Sequence, residues 1–150
     1  PEELLNSIEN EGLKSENSPR LQLLKVLLYK TLMNYSLKNK NAEDFTSYSS
    51  KAEALIEKTK IIHQENLQYK AWVSEIELLN AKNSELNGNS KNKIINCTKV
   101  KSTLKPTIYN NKEPQITIPY ILSLKCLNEL DTEPELIQML NEAGITNLVF

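Results

Sequence analysis

A ridge of apolar side chains runs through the middle of the chain. Phe45, Tyr48, Ala52, Leu55, Thr59, Ile62, Asn66, Tyr69, Val73 and Ile76 follow one another in alternating steps of three and four, and only Thr59 and Asn66 are polar. That spacing averages about 3.5 residues, the repeat of a helix laid along another helix. A helix cannot cover its own stripe. The cover must come from an earlier helix of the same chain or from another protein. The chain therefore says more about association than about chemistry.

The first segment, 1–18, reads as a short helix over about 2–13 with Leu4, Leu5 and Ile8, closed by Gly12 and the Ser15–Pro19 stretch. Ser18 caps the next helix and Pro19 opens it. That helix runs to about Lys38 and carries Leu21, Leu24, Leu27, Leu28, Leu32 and Tyr35 on a broad face, wide enough to meet more than one neighbour. Asn39-Lys40-Asn41 reads as a short connection, and Ala42 to Leu86 as one helix of roughly 65 Å. Residues 19–86 then form a helical hairpin or coiled coil.

Residues 87–115 read as a lysine-rich polar linker, with Ile94, Ile95, Val100 and Leu104 as a short helix or strand inside it. In 116–150, Ile116 to Ile118 are extended in character and Pro119 opens a helix. Thr132-Glu133-Pro134-Glu135 has the form of a capping box. Gly144 suits a left-handed helix terminus, and Ile145 to Phe150 reads as a short strand or an apolar tail. The predicted class is mainly α: a long coiled coil or helical hairpin followed by a small helix-turn-helix-strand docking module.

Composition narrows the function. Three glycines in 150 residues leave few tight turns, which argues against a β-protein. A net charge of −1 gives no general pull toward nucleic acid or anionic membrane. The basic side is lysine except for Arg20, and base readout favours arginine. The apolar run Leu21–Leu32 is interrupted by Gln22, Lys25 and Lys30 and is too short to span a bilayer, so no membrane association is expected. Cys97 and Cys126 match no metal spacing and read as small buried hydrophobes in a reducing compartment. Asn34-Tyr35-Ser36 and Asn96-Cys97-Thr98 match glycosylation sequons, as an asparagine-rich chain does by chance. The chain starts at Pro1 and reads as a possible fragment.

No catalytic, cofactor or metal motif is present: there is no nucleophile elbow, phosphate loop, dinucleotide fingerprint or zinc-protease helix. His63 is the sole histidine and reads as a surface or seam-flank residue. The expected partner interface comprises Phe45, Tyr48, Leu55, Ile62, Asn66, Tyr69, Trp72, Val73 and Ile76 on the long helix, with Leu136 and Leu140 in the C-terminal module. Asn66 would set register from within the seam, or face solvent. Lys91, Lys93, Lys99 and Lys101 are candidates for weak contact with DNA or an acidic surface, against the simpler reading of a solvated linker. The terminal helix pair resembles a DNA-reading motif only in outline, since its second helix carries Glu133, Glu135 and Glu142 and no cation.

The tail Pro134-Glu135-Leu136-Ile137-Gln138-Met139-Leu140-Asn141-Glu142-Ala143-Gly144-Ile145-Thr146-Asn147-Leu148 and the heptad region 45–86 together resemble the inner-kinetochore CENP-H/CENP-K family, in its fungal form. The ending at Phe150 looks more like CENP-H. The Leu140–Ile145 stretch also resembles CENP-K, but without the β-hairpin expected after it. The resemblance implies a non-catalytic structural subunit of the constitutive centromere-associated network, in the nucleus. It would pair with a sister subunit through the coiled coil and dock its C-terminal module on a helical-repeat subunit. It supplies no catalytic residues. The alternative is a homodimeric coiled-coil adaptor in trafficking or spindle-pole organisation, which would be cytoplasmic.

Overall fold

The computed structural model describes residues 2–12, 18–145 and 147–150. Among the described residues the secondary structure is helical, with no strand: α1 (Glu2–Gly12), α2 (Pro19–Lys38), α3 (Ala42–Thr59), α4 (Leu67–Leu86), α5 (Ser90–Ile108), α6 (Pro114–Leu127), a 3-10 turn at Leu130–Thr132, and α7 (Pro134–Glu142). The mainly α class is correct. Most of the break expected over Ser15–Pro19 lies outside the described residues. The chain divides into two units, one up to Leu79 and the other from Asn80 to Phe150.

In the first unit α2 packs against α1 and α3. Its core joins Val26, Leu28, Leu32 and Met33 of α2 to Phe45 and Ala52 of α3 and to Tyr69 and Ile76 of α4. The broad apolar face of α2 is thus shared among several neighbours. Lys30 of α2 pairs with Glu75 of α4. Tyr48 of α3 donates its hydroxyl to Glu2 of α1 at 2.7 Å, and that carboxylate pushes the phenol up to about 12.

The single helix expected over 42–86 is two helices. α3 ends at Thr59 and α4 begins at Leu67. The two polar residues of the ridge mark this break. Thr59 turns its hydroxyl back onto the Leu55 carbonyl at 2.8 Å and meets the Tyr69 hydroxyl at 3.0 Å. Asn66 accepts the Tyr69 amide at 2.9 Å, so it caps the start of α4 rather than setting a coiled-coil register. Tyr69 closes the turn by donating to the Ile56 carbonyl at 3.2 Å. A helix interrupted in this way folds the ridge back onto its own chain.

Residues 90–108 are a helix and not the core of a linker. Cys97, Val100, Leu104 and Ile108 are buried at helical spacing, while Ile94 and Ile95 are exposed. α5 packs on α6, and Cys97 and Cys126 are joined by a disulfide between them. That bond corrects the reading of two separate thiols. Ile116 to Ile118 lie inside α6 rather than in a strand, because Pro114 opens the helix and Pro119 falls within it, at the loss of one backbone bond. The proposed capping box is not formed. Thr132 bonds back to the Glu129 carbonyl, and Glu133 precedes Pro134 without a side-chain cap. Ser18 likewise precedes α2 without a side-chain bond. Ile145 and residues 147–150 form an irregular tail and not a strand.

Two of the turns between helices repeat in local detail. α2 starts at Pro19 and α4 at Leu67, while α3 starts at Ala42 and α5 at Ser90, an offset of 48 positions in both pairs. The turns match bond for bond. Lys40 and Gly88 take the left-handed conformation, with φ of 55° and 69°. Asn41 donates its amide to the Ser36 carbonyl and Asn89 to that of Ser84, at 2.9 and 2.8 Å. Lys40 and Gly88 donate to Leu37 and Glu85, which completes a Schellman motif in each. Asn41 and Asn89 then cap the next helix by accepting the amides of Asp44 and Asn92, both at 3.1 Å. Burial repeats too: Val26 and Ser74, Leu28 and Ile76, Leu32 and Asn80, Met33 and Ala81, and Ala52 and Val100 are all buried. Replacing Asn41 or Asn89 by alanine is expected to cost about 1 kcal/mol each, measured by urea unfolding. Glycine at either position should cost only a few tenths as much, because glycine also suits the cap position.

Candidate interaction surfaces

The residues expected to face a partner divide sharply by burial. Phe45, Tyr69 and Ile76 are buried in the core of the first unit, and Tyr48, Leu55, Trp72 and Val73 pack partly against it. Their cover comes from helices of this chain. Leu136 and Leu140 are buried as well. Ile62 alone of the expected interface stands out, 60% exposed beside Ile61 at 74%. Both lie in the turn between α3 and α4. His63, next to them, is buried instead of lying at the surface: its Nε2 is 3.1 Å from the Gln22 amide oxygen and its ring lies against Tyr69. One more large outward side chain is Tyr35 of α2, 64% exposed.

The four lysines of α5 do not form one free basic face. Lys93 reaches Glu85 at 2.5 Å, and Lys101 pairs with Glu129. Lys91 and Lys99 are exposed. The charges of Lys93 and Lys101 are therefore met within the chain, which leaves little for a run of phosphates.

Glu133 collects two phenols. Tyr109 of α5 donates to one oxygen at 2.9 Å, and Tyr120 of α6 to the other at 3.2 Å. Burial and the Glu133 charge hold Tyr120 well above the usual tyrosine range, and the Glu133 bond raises Tyr109. A phenol held neutral beside a carboxylate is a strut that orients the start of α7. Nothing in the sequence near Glu133 signals this convergence, because its partners lie 24 and 13 positions away.

The tail is a second arrangement hidden from sequence. Leu148 and Phe150 are half-buried, whereas Asn147 and Val149 are exposed. Lys125 of α6 donates to the Leu148 carbonyl, and Lys93 of α5 stands 5.1 Å from the centroid of the Phe150 ring. Half-covering one leucine and one phenylalanine contributes about 2 kcal/mol in all. An exposed cation over a ring adds about 0.5–1 kcal/mol, and a charged hydrogen bond about 1.5–3 kcal/mol. Ordering four residues costs about 4–8 kcal/mol. The two sides are close, so the tail is held weakly.

Among the described residues no group of three histidine, cysteine or carboxylate side chains is placed to hold a metal, and no helix is long and apolar enough to cross a membrane. Neither a protein-family model, nor a curated protein, nor a solved structure matches this chain.

Proposed function

We propose that this protein is a non-catalytic scaffold of helical hairpins that binds other proteins. The observation that carries the reading is that each unit is built on a packed helix pair, α2 with α3 and α5 with α6, while the same left-handed turn and asparagine cap recur 48 residues apart. Packed helix pairs present helix faces suited to protein recognition. Tyr35, Ile61 and Ile62 are among the outward apolar side chains it offers, with Leu86 and Ile94 also exposed, and rigid aromatics such as tyrosine make good anchors.

The finer placement, as a subunit of the inner kinetochore, is supported by the tail, where α7 is followed by Ala143, Gly144 and Ile145, the ending on which the likeness to CENP-H and CENP-K rests. Two observations weigh against it. The division of 42–86 into two helices removes the continuous arm such a subunit uses for its sister chain. The Cys97–Cys126 bond belongs to oxidising compartments more than to the nucleus.

One experiment addresses both levels. The tagged chain is cross-linked in its native cells, purified, and run without reductant after thiol alkylation. Cross-links from Lys38 and Lys60, which flank the exposed patches, to one or more different proteins support the scaffold. Centromere subunits among them, with Cys97 and Cys126 alkylated, support the kinetochore placement. A chain recovered alone as a monomer refutes the scaffold, and a self-linked dimer points to the adaptor.

A further inference from the structure

The tail of the second unit occupies a surface whose contacts are not particular to the tail. Its inward Leu148 and Phe150 and outward Asn147 and Val149 show the two-residue alternation of an extended peptide lying on a protein face. Lys125 takes a main-chain carbonyl, which every peptide offers. Lys93 takes the face of an aromatic ring, which any phenylalanine, tyrosine or tryptophan offers. Lys93 is also held by Glu85. The two lysines are carried on helices joined through Cys97 and Cys126. The site is therefore built from a cross-linked helix pair, while its occupant is weakly held.

We infer that the face of α5 and α6 between Lys93 and Lys125 is a binding site for an extended protein segment with an apolar residue two positions before an aromatic one, and that residues 147–150 are its resident occupant. Recognition is by a lysine donor to the backbone, a ring under a cation, and two half-covered side chains. A partner segment of the same pattern displaces the tail. Because the tail is tethered, it competes with such a segment, and the intact chain binds it with an affinity lowered by the fraction of time the tail fills the site. This inference deepens the scaffold reading and rests on it.

The test uses the full chain carrying Leu148→Asp and Phe150→Asp, which empties the site without touching α1 to α7. The probe is a fluorescent peptide of residues 145–150, acetylated and amidated, followed by fluorescence polarisation. The emptied chain should bind it about twofold or more tightly still than the intact chain, as a site filled about half of the time requires. Adding Lys93→Met or Lys125→Met to the emptied chain should weaken binding several-fold. Phe150→Ala alone gives the same direction of effect if the two aspartates disturb helicity measured by circular dichroism. Equal affinity of intact and emptied chains, no binding to a helical emptied chain, or indifference to both lysine changes each overturns the proposal. A chain that refuses the peptide yet cross-links to partners from Lys38 and Lys60 loses this site and keeps the scaffold role.

Discussion

Replacing Cys97 and Cys126 together by alanine is expected to destabilise the Asn80–Phe150 unit by about 3–4 kcal/mol. The bond closes a loop with a sequence separation of 29. In the chain-entropy account, freeing a loop of that size gives the unfolded chain about 3–4 kcal/mol at 25 °C. Cys97 is fully buried and Cys126 nearly so, so the alanines also leave a small void, and the two effects act in the same direction. Amide hydrogen exchange over α5 and α6 measures the change directly. Against typical urea slopes of about 1–3 kcal/mol/M, the midpoint of that unit should fall by about 1–4 M. Unchanged protection in the double variant would show that the two sulfurs do not staple the folded unit. Reductant added to the unaltered chain should reproduce the loss.

Leu32→Ala carries the largest expected effect in the first unit. Leu32 is 2% exposed, and it sits in the core that α2 shares with α3 and α4. Removing a leucine side chain from such a site costs about 2–5 kcal/mol, the spread reflecting how far the surroundings collapse. Whole domains are stable by only about 5–15 kcal/mol, so this one change removes a large share. Leu24→Ala on the same helix is the control, because Leu24 is 39% exposed and its loss should stay within about 0.5 kcal/mol. Trp72, the sole tryptophan, packs at the edge of this core and reports its unfolding by fluorescence. Equal shifts for the two variants would mean that α2 does not bury the face described.

Much of the helical content was legible because periodicity and punctuation agree. Pro19 at the start of α2, the Asn39–Asn41 connection and Gly144 after α7 each act through backbone geometry that a few residues dictate. The 3–4 ridge is real, but apart from Ile62 it is covered within the chain. Spacing alone places Thr59 and Asn66 as polar breaks in one long helix, with Asn66 setting register or facing solvent, whereas they are the end of one helix and the cap of the next. The available clue was that both polar residues have strong local hydrogen-bonding preferences and stand seven positions apart, room for a turn.

The lysine-rich stretch reads as a linker because its charge masks the spacing of Cys97, Val100, Leu104 and Ile108. The cysteine pairing could not follow from two residues 29 positions apart, since nothing local brings α5 to α6. The Glu133 struts and the tail site were invisible for the same reason: each is assembled from three elements. The recurrence of the turn is hidden by the helices before it, where Leu32 and Met33 of α2 answer to Asn80 and Ala81 of α4. The signal that could have found it is Asn39-Lys40-Asn41 against Asn87-Gly88-Asn89.

Those two triplets separate two kinds of instruction. The reversal of direction is written in three residues, and what fills the interior is written elsewhere. The interior can then be refilled with other side chains while the chain still bends back at the same two corners, so the residues that steer the path carry little of its packing.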